Sequence, residues 1–428
     1  MDNLTHTLIG FVAGESIART TRARESGLPP QTRRSLFVTL TVVGGNLPDL
    51  DLLYSYYGYS PAKLGYLLQH RGYTHTVLSC LLLAAVLYLA TEGWARWRKL
   101  TLSHRDRLEI AGVAALGTLL HLAMDFLNSY GVHPFWPLEN RWFYGDSVFI
   151  VEPLYWAAAA TLFWVTPSIA WRLVIGSSLI AGPVVGLLTH LVTPLEGALF
   201  ALLAITLLIV GTRVSPRTAT VLSAATVLIV TLLFVGAGRY SAARVDSIAA
   251  GSFPRDRVID RVLSPAPMNP LCWEVLLLET RGDRYSIRRA LLSADPALVA
   301  ASRCPTPLRK DPITAPLTEV EAPSSREIQW AGQFTMSRAT LASLVARHCS
   351  AAELMQFARA PFAAQLHERW VIGDLRFDRG PGLGMAAIEL APGSEGCRSA
   401  VPWIPPRADL LRAAGRQTPT GPAPGGAR

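Results

Sequence analysis

The chain has 428 residues, 50 % of them hydrophobic and 17 % charged, with a mean hydropathy of +0.29. It is too apolar for an ordinary soluble protein and too polar to lie in a membrane throughout, so a mixed architecture is expected. The formal charge of +9 is nearly all arginine, with lysine only at 63, 99 and 310; the arginines group in short loops beside apolar runs, which speaks for membrane topology and against a nucleic-acid partner.

No basic stretch precedes the first apolar run, so export of any part is expected to depend on the transmembrane helices themselves. Leu4 to Ala18 is apolar, interrupted by His6 and Glu15, and runs into a loop with Arg19, Arg22, Arg24, Arg33 and Arg34. Leu36 to Leu53 is apolar until Asn46, Pro48, Asp49 and Asp51; a helix should stop near the proline and leave the carboxylates at a membrane face. His70-Arg71-Gly72-Tyr73-Thr74-His75 then stands directly before Thr76 to Trp94, about the 20 residues a bilayer requires. Leu108 to Leu127 is the next span, with His121 and Asp125 in its last turns, and an aromatic loop to Ser147 holds His133 and Asp146. Further spans are expected at Val148 to Val165, Leu173 to Val192, Leu195 to Val210 and Ala219 to Val235, giving seven to eight membrane segments.

With the Arg96 to Arg107 loop placed in the cytoplasm by the positive-inside rule, the other arginine loops also fall inside. Asp49, Asp51, His70, His75, His121, Asp125, His133 and Asp146 then gather on the outer face, and His6 joins them if the first segment enters from outside. From Arg239 the pattern changes to alternating strands, a hairpin around Arg281-Gly-Asp, a helical stretch at Arg338 to Ala360 and strands at Val371 to Leu375 and Gly384 to Leu390. This is expected to be a small extracytoplasmic α+β domain. Its Cys272, Cys304, Cys349 and Cys397 could pair there, with connectivity open, whereas Cys80 lies within a span. The expected division is 1–165 for a metal-site helical domain, 166–238 for additional transmembrane helices, 239–406 for the α+β domain and 407–428 for a disordered tail.

His121 and Asp125 are four apart in a helix, so both side chains leave the same face one turn apart, a spacing that suits two ligands of one metal ion. Ionisable residues in membrane segments are expensive and point to function. With His75 at a helix mouth and Asp49 and Asp51 after a proline, they offer the nitrogen and oxygen donors preferred by zinc, or by manganese and iron. Arg71 could hold a phosphate or carboxylate. Blander readings exist. Asp49 and Asp51 could be solvated helix-end charges, His133 and His190 packing or capping residues, and Glu15, Asp146 and Glu152 plain interfacial charges; His348 and His367 are assigned no role.

Four ordered motifs carry a resemblance: Asp2-Asn-Leu-Thr-His6-Thr-Leu-Ile-Gly10, Leu47-Pro-Asp49-Leu-Asp51, His70-Arg-Gly-Tyr-Thr-His75-Thr, and His121-Leu-Ala-Met-Asp125 followed by Asn128-Ser-Tyr-Gly. Over roughly residues 1 to 165 the chain resembles the YdjM-like membrane-bound metal-dependent hydrolases, which are distantly similar to the zinc-dependent phospholipase C and P1 nuclease group. The resemblance implies Asp51 or Asp49, His75 or His70, His121 and Asp125 as metal ligands, with His6 matching a ligand on the N-terminal helix. It also implies a divalent metal, foremost zinc, in a number the motifs leave open. The function expected is hydrolysis of a phosphoester or phospholipid-like substrate at the outer face of the bacterial inner membrane, with Arg71 and Asp49 as the catalytic pair and the lipid bilayer as the partner. Two alternatives differ in class: a metal that only staples helix ends, and an ion-coupled transporter using His121 and Asp125. The gathering of ionisable residues at one face speaks against transport.

Overall fold

The computed structural model describes residues 1–21, 26–57, 62–305, 313–366, 368–380, 382–391 and 401–412. Its helices in the first part are α1 (Asn3–Thr20), α2 (Pro30–Gly44), α3 (Asp51–Tyr57), α4 (Ala62–Gln69), α5 (Val77–Trp97), α6 (His104–Phe126), α7 (Pro153–Ala158), α8 (Ile169–Leu188), α9 (Pro194–Arg213) and α10 (Pro216–Ser252). Their starts are chemically marked. Asp2 and Thr76 accept from the backbone of α1 and α5, and reciprocal capping boxes, Ser103 with Asp106 and Thr193 with Glu196, open α6 and α9.

Five helices, α5, α6, α8, α9 and α10, are long and apolar enough to cross a membrane, and a sixth span results if α2 and the segment Leu47–Tyr56, bent by 47° against it, count together. The expectation of seven to eight segments is thus not reached among the described residues. Two apolar runs account for the difference. Leu4 to Ala18 is found in α1, whose Leu8, Ile9, Phe11 and Val12 are buried by neighbouring helices, with Glu15 paired to Arg19 and Arg34. Val148 to Val165 yields only the short α7, opened by Pro153, and a 3-10 turn at Ala159–Leu162, both buried. Helices α1, α2 and α6 approach closely at glycine. A Cβ on Gly10 would lie 2.7 Å from the Thr41 carbonyl oxygen, and one on Gly117 would lie 3.0 Å from that of Leu40.

Beyond α10 comes a four-stranded antiparallel sheet in the order β1 (Arg257–Ala266), β2 (Asn269–Arg281), β3 (Arg284–Ser293), β4 (Ile328–Ser337). The β2–β3 hairpin turns at Gly282 with φ +60°, where the Arg281-Gly-Asp signal pointed. The expected helix at Arg338 to Ala360 is two, α11 (Arg338–Arg347) and α12 (Cys349–Met355), separated by His348 in extended conformation. A three-stranded sheet follows, β5 (Pro361–Leu366), β6 (Arg369–Asp374) and β7 (Ala387–Glu389). Cys272 and Cys304 form a disulfide, Cys349 is also disulfide-bonded, and Cys80 is free and buried. Cys397, His367 and most of the expected tail lie outside the described residues.

The sheets do not stand apart from the helices. Leu64, Leu67 and Leu68 of α4 and Tyr130 and Trp142 of the loop after α6 share one hydrophobic core with Phe334, Phe357, Phe362 and Trp403. The far end of α10 contributes Val245 and Ala249 to a second core with Trp273 and Val275.

Candidate metal centre

The 3-10 turn Leu47–Leu50 carries Asp49, the turn before α5 carries His75, and the last turns of α6 carry His121 and Asp125. Each offers one ligand atom, and the four atoms lie within 4.8 Å of one another, with every residue buried. Exposure is 7 % for Asp49 and nil for the other three. His75 Nε2 and His121 Nε2 are 2.9 Å apart. Asp125 Oδ2 lies 3.1 and 3.5 Å from them, and Asp49 Oδ1 lies 3.3 and 3.5 Å away.

The hydrogen bonds behind these rings fix what they present. His121 Nδ1 donates to the Gly45 carbonyl at 2.8 Å, so its Nε2 faces the cluster with a lone pair. His75 Nδ1 is 2.9 Å from Thr74 Oγ, whose hydroxyl donates to Asp51 Oδ2 at 2.7 Å, so His75 Nε2 presents a lone pair as well. Two imidazole lone pairs and two carboxylates, buried and facing one another, repel unless a cation lies between them. Asp125 Oδ2 also lacks a hydrogen-bond donor. This donor set therefore fits a divalent ion, with the mixed nitrogen and oxygen character that suits zinc, manganese or iron.

The remaining candidates surround this tetrad. Asp51 receives His70 Nδ1 at 2.8 Å, the Arg71 backbone N–H at 3.1 Å and the Thr74 hydroxyl. Asp49, Asp51 and His70 form a second group of donors within 4.8 Å, sharing Asp49 with the first, but there the His70–Asp51 pair is already hydrogen-bonded. His6 stacks on His121 with ring centroids 3.9 Å apart and places its partnerless Nε2 3.3 Å from Asp125 Oδ1. The backbone nitrogen of Met1 contacts the same oxygen.

Arg71 holds a left-handed backbone conformation, φ +62°, beside Gly72. Its guanidinium pairs with Asp125 Oδ1 at 3.0 Å and Asn128 Oδ1 at 2.9 Å, and lies 4.8 Å from the centre of the Tyr130 ring. Four buried atoms in this corner find no partner among the described residues: Arg71 Nε, Asn128 Nδ2, Tyr130 Oη and His133 Nε2. Burial holds His133 neutral, its pKa down to about 3.

Other sequence candidates lie elsewhere. Glu15 is in the α1–α2 ion pairs, Asp146 pairs with Arg359 at 2.8 Å, Glu152 accepts from the backbone of Leu154 and Met268, and His190 is exposed at the end of α8. Thr74 and Asn128 belong to the site although sequence reasoning gave them no role; both stand inside motifs already quoted. Nothing in the sequence signalled Trp403. It stacks on His133 at 3.8 Å, donates to the Leu68 carbonyl at 2.7 Å, and lies 2.8 Å from where a Cβ on Gly72 would be, capping the His70–His75 turn.

The motifs that build this centre all lie within the stretch that a family model recognises: the YdjM inner membrane protein model matches residues 1–242, more than half of the chain. The chain belongs to that family. No curated protein and no solved structure matches it. The YdjM match ends inside α10, so both sheets, and Trp403 after them, lie beyond the family's matched region.

Proposed function

We propose that this YdjM family member is an integral membrane metal-dependent hydrolase that cleaves a phosphoester or phospholipid-like substrate at the outer face of the inner membrane. The observation that carries this reading is the convergence of Asp49, His75, His121 and Asp125 with their lone pairs turned on one point. These four would hold the ion, with His6 and the Asp51–His70 pair next to them. A bound divalent ion supplies Lewis acidity and acidifies water. The chain's own residues do the rest. Asp51, through Thr74, and the Gly45 carbonyl orient the two imidazoles. Arg71, Asn128 and Tyr130 offer orphaned donors suited to the oxygens of a phosphate group. The Cys272–Cys304 disulfide supports an oxidising location for the sheets.

A second reading, a metal that only ties helix ends together, draws on the burial of all four donors. One experiment orders the two. The full chain is purified in detergent, its metal measured by elemental analysis, and the same done for His121→Ala and Asp125→Ala. The expected outcome is stoichiometric metal in the wild type and loss in both variants; sub-stoichiometric metal unchanged by either substitution sinks the centre. A metal-loaded wild type is then assayed on a panel of phosphate esters and phospholipids. Turnover abolished in the variants supports hydrolysis, and metal without turnover on any member supports the structural reading.

A further inference from the structure

A separate cleft of about 350 Å³ lies where α10 leaves its apolar run and meets the first sheet. None of Asp49, His75, His121 and Asp125 lines it. Helix α10 contributes Val235, Gly238, Arg239 and Ala242, spaced so that they share one helical face, and the small Gly238 and Ala242 leave the volume open. From Thr218 to Gly238 the helix carries no charged residue, so Arg239 stands at the boundary between the apolar span and the polar domain. The cleft has the same polarity. Phe126, Leu127, Val235 and Leu263 line it with apolar surface, while Arg239, Arg261, Arg359, Asp146 and Asp260 supply charge.

The three arginines are not equally engaged. Arg359 is buried and fully used, its guanidinium bridging Asp146 and Asp260 at 2.8 to 3.0 Å, which also occupies both carboxylates. Arg261 makes a 3.1 Å pair with Asp246 in which the side chains are 39 % and 46 % exposed, a pair that solvent screens and another anion can replace. Arg239 is exposed, and its side chain makes no ion pair or hydrogen bond with any described residue. Towards the span, the face of α10 that lines the cleft continues through Leu232 and Leu228, which are 61 % and 58 % exposed. An unpaired arginine, a second within exchange, and an apolar stripe running away from both along one helix face match a phosphate with a hydrocarbon chain attached.

We propose that this cleft is a binding site for an anionic phospholipid, its phosphate held by Arg239 and Arg261 and one acyl chain lying past Val235 along Leu232 and Leu228. The unpaired Arg239, beside an Arg261 held only by a solvent-screened pair with Asp246, gives the cleft a positive end that favours an anionic headgroup over a zwitterionic one. The assignment is independent of the metal centre, and so is its test. The full chain, purified in detergent, is titrated with phosphatidylglycerol, with phosphatidylcholine and with inorganic phosphate, following retained lipid by native mass spectrometry and the midpoint of thermal unfolding. Wild type is expected to retain phosphatidylglycerol and gain in midpoint, with neither effect from the other two ligands. Arg239→Gln with Arg261→Gln is expected to weaken retention about tenfold or more. Arg213→Gln with Arg217→Gln, exposed arginines at the end of α9 and the start of α10, should leave it unchanged. Equal retention by the double variant at 239 and 261, equal binding of phosphatidylcholine, or an equal shift with phosphate alone overturns the proposal. If the double variant does not fold, Arg239→Gln alone, which breaks no contact with a described residue, decides by the same criteria.

Discussion

Asp51 illustrates what a single buried carboxylate does when both its oxygens accept hydrogen bonds. It accepts from His70, from the Arg71 backbone and from Thr74, and stands 3.3 Å from His75 Nδ1. In that position it orients His75 and sets its tautomer. Replacing Asp51 by Asn keeps the shape but turns one acceptor into a donor. Metal affinity should fall about 10- to 100-fold, as for other residues that support a ligand. A competition titration against a chromogenic chelator measures this, and full stoichiometry should return at saturating metal. Stoichiometry lost as completely as in Asp125→Ala would instead mean that Asp51 touches the ion. At this scale the ionisable candidates were legible in the sequence, because histidines and carboxylates beside apolar runs are conspicuous, and the structure brings Asp49, His75, His121 and Asp125 together. It could not rank Asp49 against Asp51, which are two apart on a bent segment; their roles depend on which oxygen meets which ring nitrogen.

At the scale of elements, the centre depends on how closely α1, α2 and α6 pack, since they carry His6, the approach to Asp49, and His121 with Asp125. Gly10→Ala places a methyl against the Thr41 carbonyl and should destabilise the protein by about 1–3 kcal/mol, the range for overpacking. Gly93→Ala in α5, where nothing lies within 4 Å of the added Cβ, should be neutral or stabilising by up to about 1 kcal/mol. Thermal unfolding in detergent compares the two, and equal effects would show that the close approach at Gly10 does not limit stability. Span counting from sequence failed where hydrophobicity has two explanations. The α1 and Val148–Val165 runs are apolar because protein surrounds them, and length and composition alone do not separate that from contact with lipid. The β2–β3 hairpin was legible because Gly282 in a left-handed turn is a local requirement.

At the scale of the whole molecule, segments flanking the strands of the C-terminal part hold it to the helical part through buried contacts. Arg359 reaches Asp146, Arg376 donates to the carbonyls of Ser129 and Tyr130, and Trp403 covers the His70–His75 turn. Trp403→Ala should lower stability by about 3–5 kcal/mol and hasten loss of bound metal to an external chelator, while Trp403→Phe should do less of both. An unchanged chelation rate in a folded Trp403→Ala protein would show that this cap is not the barrier. Glu152 adds a pH dependence to the same junction. Buried under the β1–β2 turn, it accepts from Met268 N–H, and burial outweighs these bonds, pushing its pKa up to about 8 from an ordinary 4.5. The folded protein therefore binds a proton there that the unfolded chain has released. This contribution to stability is complete below about pH 4.5 and is lost as pH rises to about 8. The wild-type unfolding midpoint should fall between pH 5 and 8 more steeply than that of Glu152→Gln, and parallel curves would remove Glu152 as the cause.

Composition and local pattern by themselves determined that this chain is a helical membrane protein with a sheet-forming C-terminal part, and which ionisable residues beside its apolar runs, His6, Asp49, Asp51, His70, His75, His121 and Asp125, are candidates for a site. Hydrophobic periodicity and helix-breaking residues act over a few positions and can be read in one dimension. Only the tertiary structure decided that two imidazole nitrogens from α6 and the turn before α5 face each other at 2.9 Å, that Asp51 stands behind His75, and that Trp403 caps the His70–His75 turn. Those facts depend on contacts between residues 23 to 335 positions apart in the chain, which packing fixes and no local pattern encodes.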